Sequence, residues 1–231
     1  MAAPSPRTLA DQLRGWPAER LARLLEARPD LATPAPRDSA QLAARAVVRT
    51  SVLRALEDLD RFELSVLEAL AQGPRDTDRT PLAEVVNADA DAVTGAVQRL
   101  ADRALVWGPD EDPRPTGMVV ELLSLPPGPS PEQVPALLAE LDDRSRAMLD
   151  HLDDTDVDGA SDQAGKRVTR ETARTPVEQL LGRRLLVPRD GRHVAVPWTV
   201  RLTLRGGRST RERVDTPPEL ALSSRDQALL D

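Results

Sequence analysis

Asp154, Asp156, Asp158 and Gly159, in the stretch DTDVDGASD, stand at the spacing that opens a 12-residue calcium loop. Carboxylates at the first, third and fifth positions of such a loop ligate the ion, a glycine makes the sharp turn, and a bidentate glutamate closes it at the twelfth. Here the twelfth position is Gly165, the eighth is Ser161 where an apolar residue is usual, and only Asp162 at the ninth is favourable. Half of the ligand set is missing, so a solvated acidic loop is the expectation. An acidic loop has a second use, which is to pair with basic residues of the same chain and mask them.

Phosphate chemistry is tested in the same way. A P-loop needs Gly, four residues, then Gly-Lys-Ser/Thr, so that backbone amides cradle phosphates and the hydroxyl holds magnesium. The only Gly-Lys is Gly165-Lys166, with Gly159 one residue too far upstream and Arg167 in the place of the hydroxyl. Asp110, Glu111 and Asp112 therefore have no P-loop to serve. Nucleophilic catalysis lacks cysteine altogether and has only His151 and His193 to offer, neither in a triad or metal-ligand pattern. The expectation is a protein that is not an enzyme, with no cofactor, no metal and no small-molecule substrate.

Charge is the more informative chemistry. The net charge is −7, yet residues 166–213 hold thirteen basic residues against four acidic ones, a surplus of nine positive charges. The rest of the chain is correspondingly acidic. A basic face on an acidic body is the footprint of an anionic partner. A plainer source exists as well: Lys166 is the only lysine beside 30 arginines, a ratio that follows from GC-rich coding. With 2% aromatic residues the cores must be built from Leu, Val and Ala, which favours packed helices. No apolar run is long enough to span a bilayer and no signal-peptide pattern opens the chain, so no membrane and a cytoplasmic setting are expected.

These residues need elements to position them. TLADQLRGW, PAERLARLLEAR and SAQLAARAVVRTSVLRALEDL read as three helices, with Leu21, Leu24, Leu25, Leu42, Val47, Leu53 and Leu56 at buried-face spacing. RFELSVLEALAQG is a further helix with Phe62, Leu64, Leu67 and Leu70 inward. TPLAEVVN and DAVTGAVQRLADRALV follow, and LVWG and MVVELLSL read as two strands around the polar loop PDEDPRPTG. After the linker PPGPSPEQ the order repeats: the helix RSRAMLDHL, the acidic loop, and RTPVEQLLGRRLL, whose Thr175, Pro176 and Glu178 form a capping box with proline at the first helical position. Two strands across Asp190-Gly191 and the short helix WTVRLTLRGG, stopped by Gly206 and Gly207, complete it.

The expected fold is mainly α with small β-hairpin wings: tandem winged helix-turn-helix units with an N-terminal helical cap. Its divisions are 1–60 for the cap, 61–125 for the first unit, 126–213 for the second unit with the basic face, and 214–231 for a tail that reads as cut within a helix. In the second unit a recognition helix over Pro176–Leu186 offers Gln179, Arg183 and Arg184, and the wing offers Arg189, Arg192 and His193. Arg201, Arg205 and Arg208, with Arg211 and Arg213, extend the backbone contact. Such contacts are phosphate-directed and give affinity to double-stranded DNA without sequence choice. The first unit, with Asp91, Gln98, Arg99, Asp102 and Arg103 on its third helix and an acidic wing, is expected to be structural or to face protein. Winged helices also serve as docking modules, and protein docking without DNA contact is the alternative. Single-strand binding by stacking is disfavoured, since Trp198 is the only aromatic in the basic segment.

RTPVEQLLGRRLLVPRDGRHVAVPWTVRLTLRGG, residues 174–207, resembles a segment of bacterial helicase-associated proteins described as XPB-type helicase N-terminal domains. LADQLRGWPAERLARLLEARPDLATPAP with LAARAVVRTSVLRALEDLDRFELSVLEALA, within residues 9–71, looks like the opening of the same proteins. The resemblance implies an N-terminal portion of a longer chain and, as a partner, a helicase or other DNA-processing protein, without placing a motor in this chain.

Overall fold

The computed structural model describes residues 6–73, 80–155 and 158–216. Among them the chain is mainly helical, with one two-stranded and one three-stranded antiparallel sheet. Buried apolar side chains gather in three clusters.

The first cluster along the chain joins α1 (Leu9–Arg14), α2 (Ala18–Ala27) and α3 (Ser39–Ala46) through Leu13, Leu24, Leu31 and Leu42. The single long helix expected after residue 38 is two, α3 and α4 (Arg49–Glu57), because Val48 is extended at ψ 135. The break turns Val48 and Leu53 out to solvent, although Leu53 stood at core spacing. Arg28, from the RPDL stretch, is buried here. Its guanidinium donates to the carbonyl oxygens of Ala46 and Arg103 at 3.0 Å each and to Ser51 Oγ at 2.5 Å. Burial pushes its pKa down, and the three acceptors take its terminal nitrogens while its buried Nε has no partner among the described residues. Arg20 Nε to Asp102 (2.7 Å) and the Gly108 N–H to Gln12 (2.7 Å) tie this cap to the elements that follow.

The second cluster is built on α5 (Arg61–Gln72), α6 (Leu82–Val85), α7 (Ala90–Asp102) and α8 (Gly117–Leu123). Val66, Leu67, Val93, Ala96 and Leu100 are inside it. Phe62, Leu64 and Leu70 are only partly buried, and the inward face of α5 also carries Glu63, which pairs with Arg99 (2.6 Å) and Arg103 (3.5 Å). β1 (Val106–Trp107) pairs with β2 (Arg114–Pro115), Val106 opposite Pro115. MVVELL, expected as a strand, is α8. Its apolar residues fit a helical face, with Met118, Val119, Leu122 and Leu123 toward the core and Glu121 outward, 3.5 Å from Arg49.

The third cluster packs α9 (Val134–Ala139), α10 (Asp143–Thr155), α11 (Pro176–Gly182) and α12 (Trp198–Leu204) around a sheet of three short strands. β4 (Val187–Pro188) and β5 (His193–Ala195) form the expected hairpin. β3 (Gly159–Ala160) comes from the acidic stretch and pairs with β5, so the strand order is β3-β5-β4. The two units repeat a device at the end of their third helices. Ala104 (φ 53) and Arg184 (φ 60) are left-handed, and the N–H of the next residue reaches back to Leu100 and Leu180 respectively, a Schellman turn in each case.

The units are fastened together. Trp198 leaves its own cluster and is buried in that of α5–α8. Beyond α12 the chain runs back over the first unit: the Ser209 N–H donates to the Val85 carbonyl at 2.6 Å, Thr210 Oγ1 to that of Val86 at 3.0 Å, and Asn87 Nδ2 to that of Arg211 at 3.2 Å.

Candidate nucleic-acid interface

α11 starts where its residues demand. Thr175 Oγ1 accepts the Glu178 N–H at 3.3 Å, and the Glu178 carboxylate accepts the N–H groups of Thr175 and Arg174 at 3.0 and 2.8 Å. Those amides, Arg174 first, hold the Glu178 carboxyl below its ordinary pKa. The helix ends at Gly182, a turn earlier than the expected Leu186, because the left-handed Arg184 closes it and sends Leu185 and Leu186 into the core. α10 packs against it, and Asp142 joins the two by accepting the Ser145 N–H (2.7 Å) and Gln179 Nε2 (3.1 Å).

The β4–β5 hairpin turns between Pro188 and His193 by an aspartate rather than by a left-handed glycine. Asp190 Oδ1 accepts the N–H of Arg192 (2.7 Å) and of His193 (2.8 Å), and Gly191 keeps a negative φ. His193 Nδ1 lies 2.9 Å from the same carboxylate. The Arg192 amide, followed by the His193 side chain, pulls the Asp190 pKa down to about 2.

The candidate residues are not one surface. Gln179 is spent between Asp142 and Ser145. Arg183 is half-buried beside Glu140 at 3.5 Å, and Arg184 is exposed with its guanidinium on the Pro127 carbonyl. Arg189 pairs with Asp158 at 3.0 Å. Arg192 is exposed at the wing turn with no side-chain partner among the described residues, while His193, also exposed, leans on Asp190. Arg201 is half-buried on α12 and engaged. Arg205 is withdrawn from solvent: its guanidinium, 4% exposed, binds Asp153 Oδ1 at 2.9 Å and the Asp153 carbonyl at 2.6 Å, so it has no reach to a phosphate. Arg208 is exposed on the connection to the first unit, next to Ser209, whose N–H binds the Val85 carbonyl. Arg211 and Arg213, which extended the set, pair with Asp153 and Asp154 (2.7 and 2.8 Å) and with Asp215 (2.6 Å).

The open cations lie elsewhere in the same segment. Lys166, Arg167 and Arg174 are exposed and have no side-chain partner among the described residues. Gly165 sits against the Gly191 carbonyl, a Cβ there falling 3.5 Å from the oxygen, and the Ser161 N–H donates to the Arg192 carbonyl at 2.8 Å. The wing turn and the Lys166 region are therefore neighbours, and Lys166 is near enough to the start of α11 to act on Glu178. The charge surplus of residues 166–213 contained this group, but only the folded chain distinguishes it from the arginines consumed in ion pairs.

The calcium-loop spacing dissolves in the fold. Asp154 is helical in α10, Gly159 is in a strand, and Asp154 and Asp158 face Arg211 and Arg189. Asp156 lies outside the described residues. No group of three or more metal-ligating side chains exists among the described residues. No helix there is long and apolar enough to cross a membrane. Comparison of the chain with family models, curated proteins and solved structures finds no match.

Proposed function

We propose that the chain is a non-catalytic DNA-binding module of the winged helix-turn-helix kind, and that its second unit holds duplex DNA by the phosphates. The carrying observation is one of placement. α10 and α11 pack on each other beside a sheet in which the strand after α10 pairs with the far strand of the hairpin, and the unpaired cations Lys166, Arg167, Arg174 and Arg192 lie beside α11 and at the hairpin turn. This unit has turns at 162–165 and 170–172 where a second helix is usual. With Gln179 engaged internally, α11 has no free amide to read adenine, so contact is to backbone and without sequence choice. A DNA-processing partner belongs to this reading through the resemblance of residues 9–71 and 174–207 to helicase-associated proteins, and the cytoplasm as its setting through the sequence alone.

The test is fluorescence anisotropy with labelled duplexes of unrelated sequence over a salt series. Wild type should bind all of them alike, with log affinity falling linearly in log salt. Changing Lys166, Arg167, Arg174 and Arg192 to Ala should weaken every duplex equally and lower the slope by about 1 for each phosphate that is no longer neutralised. Duplex binding that persists unchanged in this variant, or no binding at low salt, would defeat the proposal and leave docking to protein.

A further inference from the structure

Lys166 is the single lysine of a chain with 30 arginines. GC-rich coding accounts for the thirty and not for the exception, so this position keeps what a guanidinium lacks: an amine that can lose its proton and form an amide. Its surroundings are open. Gly165 precedes it at the end of the turn at 162–165, Gly191 lies across from Gly165 with free space where a Cβ would stand, and Lys166 itself is exposed with no side-chain partner among the described residues.

The same neighbourhood attracts a small anion. Arg167 is next in the chain, Arg192 stands at the hairpin turn and Arg174 at the start of α11, each exposed and unpaired among the described residues. The acids nearby are mostly engaged: Asp158 with Arg189, Glu178 with two amides, Asp190 with two more and His193, and Glu171 with the Thr169 hydroxyl. Among the described residues of 158–192, Asp162 is the acid left without a partner, one against four cations.

We infer that Lys166 is an acetylation site, and that its donor is an acyl phosphate whose phosphate is held by Arg167, Arg174 and Arg192. The neutral ε-nitrogen attacks the acetyl carbonyl carbon. A C–N bond forms, the bond from that carbon to the phosphate oxygen breaks, and inorganic phosphate leaves with the electron pair. Of the two protons that the ammonium gives up, one goes to water before the attack and one to the departing phosphate. The amide is uncharged, so the group falls from four cations to three. The effect on DNA rests on the reading above, that these cations hold duplex phosphates; the acetylation does not.

The test follows the full chain treated with acetyl phosphate or with a neutral acetyl ester, N-hydroxysuccinimidyl acetate, in the presence of Nα-acetyl-lysine amide as an internal standard. Occupancy at Lys166 is read by peptide mass spectrometry after cleavage at acidic residues. Acetyl phosphate should modify Lys166 about fivefold faster than the standard, the scale of one exposed ion pair. Changing the three arginines to Ala should remove that excess, and the neutral ester should treat both proteins alike. Duplex anisotropy is then measured before and after treatment. Acetylation should lower the slope of log affinity against log salt by about 1 in wild type, and treatment should leave the slope of Lys166→Arg where it was.

A Lys166 that reacts no faster than the standard would overturn the inference, as would arginine substitutions that slow both reagents equally. Fast, arginine-dependent acetylation with duplex binding unchanged would uphold the acetylation site and defeat the DNA reading. Salt-sensitive duplex binding in a chain whose Lys166 reacts like the standard would do the reverse.

Discussion

Asp153 is the acid on which most depends. Its carboxylate is fully buried and answers two arginines, Arg205 from within and Arg211 from the surface. The two pairings are unequal, because Arg205 is nearly as buried as Asp153 while Arg211 is half exposed. Asp153→Ala should therefore cost about 3–5 kcal/mol in urea unfolding, as it strands a buried guanidinium. Arg211→Ala should cost about 1 kcal/mol or less, since Asp153 keeps Arg205. Equal effects would contradict the burial order. None of this was legible in the sequence, where Arg205 reads as one more cation of a basic run and its partner stands 52 residues away. A charge count locates a surplus; it does not say which charges are already neutralised.

At the scale of elements, local rules served where they were local. The capping box of α11, the glycine stop of α12 and the β4–β5 hairpin depend on neighbouring residues alone, and each is present. MVVELL failed because six apolar-rich residues satisfy either period, and the choice was made by the α4 and α5 surfaces it covers. β3 failed because a two-residue strand exists only through its partner β5. The β4–β5 turn carries a testable acid dependence. Asp190 titrates near 2 when folded, below the ordinary 3.8, so the ionised form holds the turn. That contribution is complete above about pH 4 and is lost as pH falls toward 2 through the folded value. The amide protons of Arg192 and His193 should lose protection over that interval, by NMR hydrogen exchange, while those of α11 do so only with global unfolding. Protection unchanged down to pH 2 would show that the carboxylate does not hold the turn.

For the whole molecule, the question is whether the units are one folding body. Periodicity marks out a cap and two repeats of similar order, and the three clusters are each built largely from leucines and valines near in sequence. What it does not show is the fastening, since Trp198 looks like a residue of the second unit and is buried in the first. Three tryptophans make the coupling measurable: Trp16 and Trp107 belong to the cap cluster and Trp198 to the next. Trp198→Ala should cost about 3–5 kcal/mol, as a large core truncation does. If the three clusters unfold together, the fluorescence of the remaining Trp16 and Trp107 should shift its urea midpoint by the same amount as far-UV circular dichroism. That outcome makes the units one cooperative body, so that on the proposed reading DNA held by the second unit has a fixed bearing on the first. Should the tryptophan transition stay in place while part of the helical signal moves, the units are separately stable. A fixed bearing would then be lost, leaving the tether through Ser209 and Thr210 to set only their distance.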